Sequence, residues 1–224
     1  AGLAADTNYD MFGYLNAGAL ALDTPLAWSS ATARATALVL QNGVLTKSGD
    51  ATRRYLGTFR TTGTIGQCEV SLAKRFCWNY YNQKPRPMRV NEATNSWTYT
   101  TATIRQANAA TANQLAFVVG YLEVPIAIDL LVHASNGAVD TDMVAGIGED
   151  STTAFVSGSI MGRVNSAVAA LFHQIQASFR GFSPLGYHYY TWLEYSEAAN
   201  TTTWYGDNNT PTLVQSGISG IILG

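Results

Sequence analysis

The chain has 224 residues, of which 47% are hydrophobic and 12% are charged, and its formal net charge is -2. This composition excludes an intrinsically disordered protein, which would combine low hydrophobicity with high net charge. A near-neutral chain also lacks the broad cationic field that nonspecific nucleic-acid binding requires, so we expect no nucleic-acid partner.

Alternation of apolar and polar residues recurs along the chain between Gly, Asn, Asp and Pro clusters, which is typical of an all-β sandwich or barrel. The clearest predicted hairpin covers 37–46, where Asn42-Gly43 joins two apolar runs and favours a type I′ turn. Further strands are predicted at 55–60, 97–105, 115–121, 126–133, 187–195, 201–205 and 212–223. In 97–105 and 187–195 both faces carry packing residues, so the second face should meet a loop, another sheet or a neighbouring subunit.

One segment, 69–80, departs from the strand pattern. Leu72, Phe76 and Tyr80 recur at helical spacing among good helix formers, which predicts one short amphipathic helix that ends before Pro85. The run 167–176 fits a helix and a strand equally well.

No internal repeat or linker divides the chain, so we expect a single domain over 1–224. Because the first residue is Ala1 rather than Met, the sequence is also compatible with the C-terminal part of a longer chain. The most apolar run, 115–132, is interrupted by Glu123, Pro125 and Asp129, so we expect no membrane insertion.

The two cysteines, Cys68 and Cys77, are too few for a disulfide scaffold or a zinc site. On the predicted helix they would stand about 13.5 Å apart, beyond the limit of roughly 7 Å between bridged α-carbons. We therefore predict two unpaired thiols.

Catalytic signatures are missing. The glycines from Gly146 lack the third glycine of a dinucleotide fingerprint, and 181–186 has one residue too many for a nucleophile elbow. The acidic stretch that begins with Asp140 and Asp142 lacks the ligand spacing of a calcium loop, so we expect a solvated loop, with an incidental divalent ion as the alternative. We expect no enzymatic activity, no resident metal and no cofactor.

Two groups of residues are candidates for contact with other molecules. The first joins flat aromatic rings to polar side chains, as sugar recognition requires, and the alternative is a strand that ends in a turn; it comprises Trp204, Tyr205, Asp207 and Asn208. The second is a cluster of cations that either forms structural ion pairs or docks on an acidic surface; it comprises Arg53, Arg54, Arg60, Lys74 and Arg75.

The segment 52–63, read as TRRYLGTFRTTG, is followed by Gly66-Gln67, Lys74-Arg75-Phe76 and 78–82, read as WNYYN. With these motifs, nearly the whole chain resembles a family of virion proteins from tailed bacteriophages and prophages. The resemblance implies a noncatalytic structural protein of the virion, a jelly-roll-like β sandwich assembled as a homotrimeric knob that decorates or cements the capsid.

Its partners would then be its own copies and other virion proteins such as the major capsid protein. The alternative within the resemblance is a tail-fibre tip domain that binds host surface glycans. The resemblance identifies no catalytic residue.

Overall fold

The computed structural model describes residues 2–198 and 200–224, and these residues form an all-β fold. The strands of the first half are β1 Asn8–Asn16, β2 Ala19–Leu22, β3 Leu26–Ala27, β4 Leu38–Gln41, β5 Val44–Lys47, β6 Asp50–Arg60, β7 Lys74–Arg75, β8 Cys77–Asn79, β9 Pro85–Asn91 and β10 Ser96–Tyr99. Those of the second half are β11 Arg105–Gln106, β12 Gln114–Val119, β13 Val124–Asn136, β14 Asp142–Glu149, β15 Gly162–Asn165, β16 His173–Ser183, β17 Gly186–Ser196, β18 Thr202–Tyr205 and β19 Gly217–Leu223. A 3-10 turn covers Ala107–Ala109.

The described residues form three sheets. The N-terminal sheet has the order β2-β1-β6-β5-β4, with β3 paired to β1 and β8 paired to β6. The middle sheet has the order β15-β14-β17-β12-β7, with β11 on β17, and the outer sheet has the order β10-β18-β13-β19-β9, with β16 on β13. The fold is therefore a two-sheet sandwich with a third sheet added by the first third of the chain.

The middle and outer sheets enclose the main core. Alternate residues of β13 and β12 point inward, and their side chains meet Trp192 of β17 and Trp204 of β18 in one buried cluster. A smaller cluster forms where the N-terminal sheet covers the back of β12, through Phe12, Tyr55 and Trp78 against Val118. The prediction that 187–195 is packed on both faces is confirmed, since alternate residues of β17 are buried on either side.

The predicted hairpin at 37–46 is confirmed as β4 and β5. Asn42 and Gly43 both have positive φ, at 49° and 79°, as a type I′ turn requires. The remaining predicted strands are present, although the strand from Trp97 ends at Tyr99 and the last one begins only at Gly217.

The predicted helix over 69–80 is wrong. Lys74–Arg75 pairs in parallel with β12, and Cys77–Asn79 pairs with β6, so the segment is extended. Phe76 and Trp78 are buried by strand alternation, with Tyr80 continuing the same row. In the ambiguous run 167–176, only the part from His173 onward is a strand.

Candidate contact surfaces

Trp204 cannot contact a sugar, which corrects the prediction made for it. The side chain points into the sandwich core, is fully buried, and donates from Nε1 to Ser196 Oγ at 3.1 Å. The physical reason is strand alternation: Trp204 and Tyr205 are neighbours on β18 and therefore point to opposite faces of the sheet.

Tyr205 lies on the solvent face of the outer sheet, where it belongs to an aromatic group that the sequence did not indicate. Its ring centroid is 4.8 Å from that of Phe172, which in turn stacks at 5.3 Å on His133. The Tyr205 hydroxyl is 2.9 Å from Ser135 Oγ. Phe172 is exposed and precedes β16, so the available ring belongs to the loop that the sequence left undecided between helix and strand.

Asp207 and Asn208 follow Tyr205 in a tight turn. Asp207 Oδ1 accepts the Asn209 N–H at 3.0 Å, so part of this carboxylate is used by the turn itself. Asn208 is exposed and has a positive φ of 49°. The structure thus supports the turn alternative for these two residues and places them next to the aromatic group.

Three of the five candidate cations form ion pairs within the chain. Arg53 Nε lies 3.1 Å from Asp23 Oδ2, Lys74 Nζ lies 2.9 Å from Glu69 Oε2, and buried Arg60 lies 3.8 Å from Asp6. The guanidinium of Arg60 also stacks on the Tyr187 ring of the middle sheet at 3.9 Å.

Arg54 and Arg75 contact no carboxylate among the described residues. Arg75 Nη2 donates to the Pro87 carbonyl at 2.7 Å, and Arg54 Nε donates to the Tyr81 hydroxyl at 2.7 Å. Arg54 is exposed and its guanidinium lies 4.7 Å from the centre of the Tyr81 ring. Of the predicted cluster, Arg54 is therefore the cation best placed to meet a partner.

The most elaborate cation site involves Arg34, which sequence reasoning missed. Arg34 Nε lies 2.7 Å from Asp10 Oδ2, and the side chains are only 10% and 2% exposed. The guanidinium also donates to the Gly120 carbonyl and reaches the hydroxyl of Tyr55 at 3.2 Å. Because Gly120 directly follows β12 of the middle sheet, this ion pair fastens the N-terminal sheet to the sandwich.

Glu194 of β17 forms a second buried polar site. Arg105 Nη2 approaches its Oε1 at 2.7 Å, and Trp97 Nε1 donates to its Oε2 at 2.8 Å. Burial raises the pKa of Glu194 to about 7, and Arg105 opposes that effect. These contacts join β10, β11 and β17, so the site connects the two sheets of the sandwich.

The acidic stretch at 140–150 is mostly strand rather than a solvated loop, which corrects that expectation. Asp142 lies on β14 and pairs with Arg163 at 2.7 Å, and Glu149 Oε1 accepts the Tyr190 hydroxyl at 2.5 Å. Asp150 Oδ2 lies 2.7 Å from His188 Nδ1. In the described part of the chain, no three side chains of the His, Cys, Asp or Glu type are grouped as metal ligands would be.

An apolar surface covers the outer side of the N-terminal sheet, and we call it the leucine face; it comprises Met11, Leu15, Leu20, Leu22 and Leu56. Leu15 and Leu20 are directly opposite on β1 and β2, and Leu15, Leu20 and Leu22 are 74%, 78% and 61% exposed. Leu20 and Leu56 approach each other over Gly13, where a Cβ would be 3.6 Å and 3.4 Å from their methyl groups.

Next to these leucines is a shallow depression of about 220 Å³, lined by Met11, Leu22 and Leu56 together with Phe59 and Cys77. Among the described residues of β1, β2 and β6, the strand register places one charged side chain on the leucine face: Arg54, which is opposite Gly13. An exposed, contiguous apolar patch with a polar border is the usual mark of a protein contact site.

No protein-family model matches the chain, and no curated protein shows significant similarity to it. Solved structures of infectious bursal disease virus are similar at a low level. The Gx strain structure has 9% identity and a TM-score of 0.30, over 100% of this chain and 74% of that chain. The Gt strain structure has 10% identity and a TM-score of 0.25, over 98% and 62% respectively. At these values the function must be argued from the residues themselves.

Among the described residues, no helix is long and apolar enough to span a membrane.

Proposed function

We propose that this protein is a noncatalytic structural component of a tailed-phage virion, a homotrimeric knob that decorates or cements the capsid shell. The observation that carries the proposal is the leucine face. Full burial of a leucine side chain contributes about 1.5–3 kcal/mol, and the three most exposed leucines of this face do not gain that free energy in the monomer. A second and third copy of the chain would cover them.

The chemistry of the leucine face suits a permanent contact between copies. The centres of obligate interfaces are depleted of charged residues, and Arg54, the cation that the strand register places on this face, lies at its border. Three copies would bury the face around a common axis, and the number three comes from the resemblance to trimeric virion proteins. The face also contains strand β2 at the edge of its sheet, which subunit contact would shield from edge-to-edge aggregation.

Sedimentation equilibrium at micromolar concentration tests the trimer. The wild-type protein should have three times the subunit mass of 24.0 kDa. Leu20→Glu should be monomeric, because it would bury a carboxylate in an apolar contact. The matched control is Leu213→Glu, since Leu213 is also exposed but lies outside the leucine face, and it should remain trimeric. A monomeric wild type would refute the trimer. A trimeric Leu20→Glu variant would show that the leucine face is not the subunit interface.

Capsid docking requires a surface that remains free after trimer formation, and Arg54 at the border of the leucine face is suited to an acidic partner such as the major capsid protein. Arg54→Ala should fold and trimerise normally but show reduced incorporation into virions. Arg163→Ala is the control, since Arg163 is an exposed cation on β15 of a different sheet. Equal incorporation of both variants would contradict docking through Arg54.

Immunogold labelling of intact particles separates the proposal from its alternative. Gold over the heads would support decoration of the shell. Gold at the tail tips would support the second candidate, a tail-fibre tip domain that binds host glycans.

The second candidate is favoured by exposed Phe172 and half-buried Tyr205 beside the polar turn at Asp207 and Asn208. Stacking on an aromatic ring with hydrogen bonds to polar neighbours is a chemistry suited to sugars. Phe172→Ala should then reduce host adsorption, whereas Phe182→Ala, at the other end of β16, should not. Unchanged adsorption in both variants, together with no binding on a glycan array, would refute this candidate.

A further inference from the structure

Cys68 and Cys77 are free and exposed, as the sequence predicted, but the absence of the predicted helix changes their relation. The chain leaves the N-terminal sheet, turns back, and runs antiparallel to itself, with Val70 directly opposite Arg75. Cys68 and Cys77 lie on the two arms of this turn, at the end where both arms reach the β6 segment. The thiols that a helix would have separated therefore lie on adjacent extended segments.

The backbone hydrogen bonds show where the two arms of the turn separate. The Phe76 N–H donates to the Glu69 carbonyl at 3.1 Å, whereas the Phe76 carbonyl accepts the Arg60 N–H at 2.8 Å, so the second arm joins β6 at Phe76. Both cysteines then lie beside the same extended segment, opposite residues 61 and 59, which places their α-carbons about 6.7 Å apart at 3.3–3.4 Å per residue. This separation is at the upper end of the range of about 4.4–6.8 Å that a disulfide accepts.

Both side chains also point to the same side of the N-terminal sheet. Cys77 pairs with Phe59 on β6, and Cys68 pairs with Thr61, two residues further along the same extended segment. Since residues two apart in a strand face the same way, both thiols lie on the outer side of the sheet. Cys68 Sγ is 3.4 Å from the carbonyl oxygen of Phe76, the residue that immediately precedes Cys77.

Cys77 is close enough to Cys68 to affect its ionisation. Burial raises the pKa of Cys68, and the charge of Cys77 raises it further. Burial also raises the pKa of Cys77, but the nearby Arg86 guanidinium opposes this effect. Cys77 is therefore the thiol with a cation to stabilise its thiolate, and it should react first.

We propose that Cys68 and Cys77 are a redox pair that closes to an intramolecular disulfide when it meets a disulfide oxidant such as glutathione disulfide. The Cys77 thiolate attacks one sulfur of glutathione disulfide, whose S–S bond breaks and releases one glutathione thiolate. Cys68, as thiolate, then attacks Cys77 Sγ and expels the second glutathione. The protein loses two protons and two electrons, and one glutathione disulfide becomes two glutathiones.

The disulfide would close the turn at 69–76 against β6. This turn carries Lys74 and Arg75, which pair with β12 of the middle sheet, so the bridge would fix one of the connections between the N-terminal sheet and the sandwich. The proposal rests on the pairing of both cysteines with the β6 segment and holds whether or not the protein is a virion component.

Trypsin offers a direct test, because it cuts after Lys74 and Arg75, between the two cysteines. The purified full-length protein is reduced, treated with glutathione disulfide, blocked with N-ethylmaleimide, digested, and analysed by mass spectrometry without reductant. Peptides 61–74 and 76–89 should be recovered as one linked species, and the intact protein should be lighter by about 2 Da than the reduced form, with no maleimide added.

Two single variants are the controls. Cys68→Ser should retain glutathione on Cys77, because the attacking thiol of the second step is missing, and Cys77→Ser should acquire glutathione at Cys68 more slowly. Recovery of wild-type protein with two glutathione adducts, with two maleimide adducts, or with a bridge between different chains would overturn the proposal.

Discussion

Removing Arg34 from its ion pair with Asp10 should be among the most destabilising single substitutions in this fold. Both side chains are nearly buried, and the guanidinium also reaches the Gly120 carbonyl and the Tyr55 hydroxyl. Replacement by methionine in Arg34→Met fills much of the same volume but leaves the Asp10 carboxylate buried without its cation. Removing one partner of a buried pair costs about 3–5 kcal/mol, so we expect the free energy of unfolding to fall by that amount.

Urea denaturation at one fixed subunit concentration measures this loss, since the stability of an oligomer depends on concentration. The matched control is Arg163→Met, which breaks an ion pair of the same 2.7 Å length in which the arginine is 65% exposed. A surface pair contributes about 0–1 kcal/mol, and the control should lose no more than that. Equal losses in the two variants would refute the reasoning.

A second variant separates the ion pair from its packing. Asp10→Asn combined with Arg34→Met removes both charges, so no uncompensated carboxylate remains in the interior. The double variant should therefore be more stable than Arg34→Met alone, because the penalty arises from the unpaired charge. A further loss of stability in the double variant would assign the effect to the hydrogen bonds of Arg34 rather than to the Asp10 charge.

Two further predictions concern the free energy of unfolding and depend on the burial of Glu194 and Gly120. Because burial raises the pKa of Glu194 from 4.5 to about 7, the folded state binds this proton more tightly, and stability should fall as pH rises from 4.5 to 7 and then level off. Glu194→Gln should remove this slope in urea titrations at a series of pH values; an unchanged slope would contradict the assignment. Gly120→Ala should destabilise by about 1–3 kcal/mol, because its Cβ would lie 2.3 Å from the Trp78 ring. Gly137→Ala, whose Cβ has its nearest neighbour at 3.8 Å, should be nearly neutral in the same assay.

Strands such as β12, β13 and β17 were predictable from the sequence because alternation and turn chemistry are local signals, whereas β1, β9 and β14 were not predicted. Asn42-Gly43 specifies its hairpin through two residues that accept positive φ, and no distant contact is needed. The segment 69–80 shows the limit of local patterns. Its apolar residues fit a helical spacing at 72, 76 and 80 and a strand spacing at 76, 78 and 80, and pairing with β6 and β12 decides between them.

The candidate site was predictable only in part, and the failures have different causes. Because successive side chains of a strand point to opposite faces of the sheet, Trp204 and Tyr205 could not both contact one ligand, and this much follows from the sequence. Which of the two is buried depends on the position of the second sheet, which the sequence does not supply. Arg34 gave no local signal at all, because its partners Asp10, Tyr55 and Gly120 are distant along the chain and meet only in the folded protein.

The orientation of β1 explains why an apolar surface is left facing outward. Its two faces are Asp10, Phe12 and Tyr14 on one side and Met11, Gly13 and Leu15 on the other. Ranking the faces by hydrophobicity would place Leu15 inside and Asp10 in water, but the structure has the reverse. The buried side accepts Asp10 because Arg34 neutralises its charge there, and the leucines are consequently left exposed. The chain thus retains a buried ion pair that holds the N-terminal sheet on the sandwich, while the leucines of the opposite face have no cover in the folded monomer. Assembly through the leucine face would supply it.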